Sequence, residues 1–265
     1  MTTIDSALLG PTSRRGVLKL AGAAALLVAA APGASQAALA QDATPVASPT
    51  ADTLLGKYLV IRTRTVKPDR SVEELLTLVQ QGYVPLVQEI PGLILYVSGA
   101  DAETHGQYSI GVFEDEAGAA ESTRRAREWG ALGASDMVEG DPDIYEGTIG
   151  VAADPSLPAD GLLGAYAVIR LRQPNPDWPV ADVLARIGEG YVPLVEQIPG
   201  YIAYFGSADG AGGSQAYVGL YADRTAGDES SRIARDWLTA NNYDFFAGDP
   251  TLAEGPIGAA AEMMG

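Results

Sequence analysis

A chain of 265 residues with 47% hydrophobic and 19% charged side chains is long enough for one large domain or two small ones, and too apolar for intrinsic disorder. A formal net charge of -17 and a pI near 4.3 repel phosphate backbones and anionic lipid heads, which argues against nucleic-acid binding. The absence of cysteine removes disulfides, thiolate metal sites and cysteine nucleophiles, and a single histidine, His105, removes multi-histidine centres, so no metal is expected.

Residues 1–40 read as a targeting segment. Arg14, Arg15 and Lys19 precede an alanine- and leucine-rich run from Leu20 to Ala31, shorter than an ordinary membrane span of about 20 residues. Small residues up to Ala38-Leu39-Ala40 supply a cleavage site before Gln41. The stretch from Ser13 to Lys19 resembles the twin-arginine export motif, with Val17 where phenylalanine is common. That resemblance implies a secreted protein, carried out already folded by the twin-arginine export machinery, touching the membrane only through its signal segment and ending periplasmic or extracellular. Residues 41–55, rich in Ala, Pro, Ser and Thr, read as a flexible tether.

The remainder is one unit written twice. Residues from Ala51 to Ala153 match those from Ala159 to Ala261 at a constant offset of 108 without a gap, with about 45% of positions identical. The block Gly82-Tyr83-Val84-Pro85-Leu86-Val87 returns as Gly190-Tyr191-Val192-Pro193-Leu194-Val195. The repeats are placed at 56–153 and 164–261, joined by a linker at 154–163.

In the first repeat, the alternation from Tyr58 to Thr65 predicts a strand ended by Pro68-Asp69. Apolar residues at helical spacing from Val72 to Ile90 predict a helix that Pro85 kinks and Pro91-Gly92 stops. Strands are predicted at Leu93 to Val97 and Tyr108 to Phe113, with His105 in the loop between them. An amphipathic helix from Ala117 to Ala134 carries Ser122, Ala126 and Trp129 on one face, and a strand from Tyr145 to Val151 closes the unit. Asp141-Pro142-Asp143 reads as turn chemistry.

The order β-α-β-β-α-β is the split pattern of an α+β, ferredoxin-like fold, whose sheet carries helices on one face only. Leu59 and Ile61 point one way and Tyr58 and Val60 the other, so both faces are apolar. The expected architecture buries the bare faces of the two repeats against each other, as two facing sheets with four helices outside.

Together with Pro-Gly opening the second strand and an Arg/Trp helix following the third, this order resembles the dimeric α/β-barrel superfamily, in its antibiotic-biosynthesis-monooxygenase-like branch. The resemblance implies an intramolecular version of that barrel. It leaves activity open, because the superfamily includes cofactor-independent monooxygenases of aromatic compounds, haem-degrading enzymes, peroxidases and decarboxylases. Haem-handling members place a histidine on a helix lining the pocket, and neither helix here has one, so no cofactor is expected.

Arg62 and Arg170 share a strand face with Tyr58 and Tyr166; once buried, they need either a carboxylate partner or a bound anion. Tyr83, Tyr96 and Trp129, repeated as Tyr191, Tyr204 and Trp237, form either plain core or the wall of an aromatic cavity. These ten residues are the candidate ligand contacts; no catalytic residue is identified. Three functions stay open: binding of a small aromatic or apolar molecule between sheet and helices, oxidation of an aromatic substrate without a cofactor, and a structural envelope role with no ligand.

Overall fold

The computed structural model describes residues 54–261, apart from 157, 160, 211 and 212. The predicted export signal, its cleavage point and the tether as far as residue 53 lie outside the described residues.

Strand β1 (Tyr58–Val66) leads into helix α1 (Val72–Leu78). The Ser71 hydroxyl caps that helix by accepting from the Glu74 N–H at 3.1 Å, and Glu73 and Glu74 in the first turn complement its dipole. The expected single kinked helix is instead broken by a π-helical turn, Val79–Tyr83, before α2 (Val84–Gln88). The Val84 N–H reaches back to the Val79 carbonyl, five residues away. Widening the ladder there accommodates Pro85, which brings no N–H and would clash with the carbonyl of the preceding turn. The second half repeats the device with α4 (Val180–Arg186), a π turn at Ile187–Tyr191 and α5 (Val192–Val195).

After β2 (Leu93–Asp101) and β3 (Gly106–Phe113) comes α3 (Glu116–Gly130), capped by the Asp115 carboxylate on the Gly118 N–H at 2.9 Å. A short 3₁₀ turn, Ala134–Met137, precedes β4 (Val138–Ala152). That strand starts earlier than expected. Glu139 and Val138 pair with Thr65 and Val66, with a bulge between Thr63 and Thr65, so the Asp141-Pro142-Asp143 segment lies inside an irregular strand rather than in a turn. The second half runs β5 (Tyr166–Arg172), α4, α5, β6 (Tyr201–Ala208), β7 (Gln215–Tyr221), α6 (Arg224–Ala240) and β8 (Thr251–Ala261).

The eight strands form one closed antiparallel barrel in the order β1-β3-β2-β8-β5-β7-β6-β4. Residues 58–152 contribute β4-β1-β3-β2 and residues 166–261 contribute β8-β5-β7-β6, the same order twice. The halves do not lie as two separate facing layers. They join edge to edge, β2 to β8 through Ser98↔Ala259 and β4 to β6 through Thr148↔Ala208. Each open sheet would leave two rows of unpaired N–H and C=O groups, and the two seams pair both.

The alternation of β1 divides the core. Leu59 and Ile61 point into the barrel, where they meet Val97, Ile110, Ile169 and Val218. Val60 points outward, beneath the helices, with Leu75, Val79 and Val87. Val168 lies in a matching outer cluster with Val183, Ile187 and Val195. The barrel interior is thus filled with apolar side chains, and polar side chains of the outward rows meet the helices instead. Among the described residues, no helix is long and apolar enough to cross a membrane.

Candidate functional site

Arg62 follows Val60 on the outward row of β1 and is only 4% exposed. Its Nη2 donates to Thr123 Oγ1 at 2.6 Å and to Ser122 Oγ at 3.2 Å, both on α3. Its Nε and Nη1 are buried with no partner, and among the described residues it forms no ion pair. Among the described residues, the carboxylate partner expected as one alternative is absent.

The π turn sets the next wall. It delivers Tyr83 to α3, where the phenol donates to the Ser122 carbonyl at 2.9 Å and lies 3.0 Å from its hydroxyl. The Tyr83 ring meets Tyr96 edge-on at 5.3 Å and Trp129 at 5.6 Å. Gly82 permits that last approach, because a Cβ there would sit 2.6 Å from Trp129 Nε1. The second half builds the same wall. Arg170 reaches Ser231 Oγ at 2.7 Å, Tyr191 donates to the Ser230 carbonyl at 3.1 Å, and Tyr191 meets Tyr204 at 5.3 Å and Trp237 at 5.8 Å.

Each wall encloses a cavity between sheet and helix. The first, about 50 Å³, is lined by Arg62, Arg64, Tyr83, Tyr96, Gln107 and Trp129 among others. The second, about 30 Å³, is lined by Arg170, Arg172, Tyr191, Tyr204, Tyr217 and Trp237 among others. Eight of the ten predicted contacts are therefore gathered into two cavities. Tyr58 and Tyr166 are not among the lining residues; each sits at the start of its strand, opposite Phe113 and Tyr221 respectively. Sequence reading missed Gln107 and Ser109, which line the first cavity, and the role of Ser122-Thr123 as guanidinium acceptors. A hydroxyl on the otherwise apolar α3 face with Ala126 and Trp129 was the available signal.

Volume limits the occupant. An apolar cavity of about 150 Å³ takes a benzene ring, so spaces of about 50 and 30 Å³ hold a headgroup or a few waters, and a whole ring enters only if the helix layer moves. Neither lining includes a carboxylate or an imidazole. His105 lies in the β2–β3 turn with a φ of 57° and lines neither cavity. Haem does not fit: no imidazole faces either space, and ligand sites usually need about 300 Å³ or more.

Burial lowers the Arg64 guanidinium from its ordinary value, and the neighbouring Arg62 charge adds to that. Burial also raises the Tyr96 and Tyr204 phenols far above the ordinary 10.0, so these rings stay protonated rather than serving as phenolate bases. Tyr108 and Tyr217 are raised for the same reason. A raised folded value stabilises the fold fully below the unfolded value of 10.0, and that contribution is lost as pH rises beyond it. Alkaline titration followed by phenolate absorbance is expected to show these rings ionising together with loss of helical circular dichroism. Smooth ionisation of all 12 tyrosines near pH 10 in a folded protein would contradict their burial.

No family model matches the chain, and no curated protein sequence matches it. Solved structures do. A candidate monooxygenase from Fusobacterium nucleatum is 16% identical with a TM-score of 0.61, over 80% of this chain and 96% of that one. An anthrone oxidase-like protein is 12% identical with a TM-score of 0.53, over 79% and 95%. A candidate chlorite dismutase is 10% identical with a TM-score of 0.53, over 77% and 95%. The likeness defines a fold class: a mixed α+β fold with an eight-stranded antiparallel sheet, shared with monooxygenase-like and chlorite-dismutase-like proteins. At these identities the likeness carries the fold and not the activity.

Proposed function

We propose that this chain is an exported protein, built by tandem duplication of one β-α-β-β-α-β unit into an intramolecular α/β-barrel, that holds a small molecule between its sheet and its helices. The observation that carries the reading is the recurrence of two arginines, two tyrosines and one tryptophan around a cavity in each half. Buried donors arranged around a space are what a ligand site needs and what a purely structural wall would avoid. Oxidation of an aromatic substrate is the competing reading, favoured by the likeness to an anthrone oxidase-like fold. That chemistry needs a group to take the substrate's proton, and the cavity walls offer only guanidinium, amide, hydroxyl, indole and protonated phenol groups.

A small-molecule screen by thermal shift, with oxygen uptake measured on every hit, tests the proposal. Stabilisation without oxygen consumption supports binding; stabilisation with turnover of an aromatic hit supports the oxidase; no hit at all removes both ligand readings. Export is tested separately by Arg14→Lys with Arg15→Lys, which is expected to hold the protein inside the cell. Unchanged delivery outside would remove the twin-arginine route.

A further inference from the structure

The two halves match in sequence, but the surroundings of their arginines do not. In the second half, the Tyr221 hydroxyl donates to Ser230 Oγ at 2.5 Å and reaches the Arg170 guanidinium. The matching residue in the first half is Phe113. Its ring takes the same path, folded back across Gly111 as Tyr221 folds across Gly219: a Cβ would stand 2.7 Å from Phe113 Cε2 in one case and 2.3 Å from the Tyr221 hydroxyl in the other. Only the oxygen is missing. Arg62 is left with two buried nitrogens unpartnered, whereas no nitrogen of Arg170 is in that condition.

The second half also carries bulkier rings beside its arginines. Tyr217 and Phe246 pack at 5.8 Å, and Phe246 lies under the Arg172 guanidinium at 4.8 Å. Ser109 and Val138 hold the matching positions in the first half, and both line its cavity. Arg64, with no ring over it, borders both that cavity and an open surface cleft of about 610 Å³, as does Gln107. The first-half space therefore adjoins that cleft through two shared lining residues.

We infer that the halves have diverged, and that the first-half cavity alone binds the carboxylate of a small monoanion on an unpartnered N–H donor of Arg62, while the second half is a supporting copy. This rests on the ligand reading above and names its chemistry. The Nε–H and Nη1–H bonds lie on different edges of the guanidinium, so a carboxylate oxygen accepts one of them, and a charge-assisted bond of that kind answers a buried cation that has no ionic partner. A space of about 50 Å³ suits the headgroup, with the rest of the molecule pointing into the cleft. Asp101, Glu139, Asp141 and Glu254 line that cleft and repel additional negative charge, so phosphate esters and dicarboxylates are selected against, and a neutral or cationic remainder is favoured.

Acetate titrated into the full chain, followed by the arginine Nε–H resonances and by calorimetry, tests this. Saturable binding of one acetate is expected, moving one Nε–H resonance that Arg62→Lys removes, with chloride as the control for ionic strength. Phe113→Tyr, which installs the residue already accommodated in the second half, is expected to weaken acetate at least tenfold while the protein stays folded. Ser109→Tyr with Val138→Phe is expected to abolish binding. Two equivalent acetates, binding untouched by Phe113→Tyr, or no arginine resonance responding would each overturn the inference. If neutral compounds stabilise the protein while acetate does not bind, the carboxylate site falls and the broader ligand reading stands. If acetate binds as described and no larger compound does, the site stands by itself.

Discussion

Residues 54–153 produced alone are expected to have no stable folded monomer. Within the intact barrel, Leu59, Ile61, Leu95, Val97, Tyr108, Ile110 and Val112 of this half are buried in the shared interior against Ile169, Phe205, Val218 and Leu220 of the other. Separation returns that row to water at about 1.5–3 kcal/mol per large side chain, on the order of ten kcal/mol together. That equals the whole stability of a typical domain, about 5–15 kcal/mol. The edges of β2 and β4 lose their partners at the same time. Two identical half-chains are able to restore both seams to one another, β2 of each on β4 of the other, so a symmetric dimer or a precipitate is the expected product. Sedimentation velocity with circular dichroism decides the matter. A folded, soluble monomer of this fragment would show that the barrel is not the unit of folding.

Arg62→Met is expected to stabilise the protein while destroying anion binding. A buried guanidinium with two unpartnered nitrogens carries a desolvation cost that its hydrogen bonds do not cover. Replacing even a paired buried charge cluster by apolar side chains of similar volume is often neutral or gains about 1–4 kcal/mol. Against this stand the lost bonds to Ser122 and Thr123, about 1 kcal/mol each. Ser122 keeps Tyr83 and Thr123 keeps Glu146, at 3.4 Å, so neither hydroxyl is orphaned. The net expectation is a gain of at most about 2 kcal/mol, or a rise of at most about 8 °C in the unfolding midpoint for a chain of this size. Arg170→Met, which removes a partner from Tyr221 and Ser231, is expected to be neutral or destabilising. A loss of about 3 kcal/mol or more at Arg62 would instead mark it as a structural ion whose partner is essential.

Much of this was legible from residue patterns. The block Gly82-Tyr83-Val84-Pro85 recurs at Gly190-Tyr191-Val192-Pro193, alongside a strand order that occurs twice, and strand alternation placed Arg62 and Val60 on one face opposite Leu59 and Ile61. Helical and strand spacing grouped Tyr83, Trp129 and Tyr96, and the structure packs the Tyr83 ring against both of the others. Spacing did not reveal the π turn, because Pro85 predicts some break without specifying whether the chain bends or widens its ladder. The start of β4 was hidden because Gly140-Asp141-Pro142 has the composition of a turn, and only its pairing with β1 makes it a strand. Closure through edges rather than stacked faces depends on contacts distant in sequence, which local pattern does not encode. The exchange of Phe113 for Tyr221 is visible in the aligned repeats, yet its meaning depends on a ring folding back across Gly111 to the buried guanidinium.

Seam closure is open to direct chemical test, because the chain has no cysteine of its own. Thr148 of β4 and Ala208 of β6 are register partners across one seam. Antiparallel partners stand about 4.5–5.5 Å apart at Cα, inside the range that a disulfide spans. The double variant Thr148→Cys/Ala208→Cys is expected to oxidise in dilute, folded protein to one intramolecular disulfide linking the two halves, identified as a single cross-linked peptide pair after digestion. Two thiols that stay free under mild oxidation, or that pair only between molecules, would contradict a barrel closed within one chain.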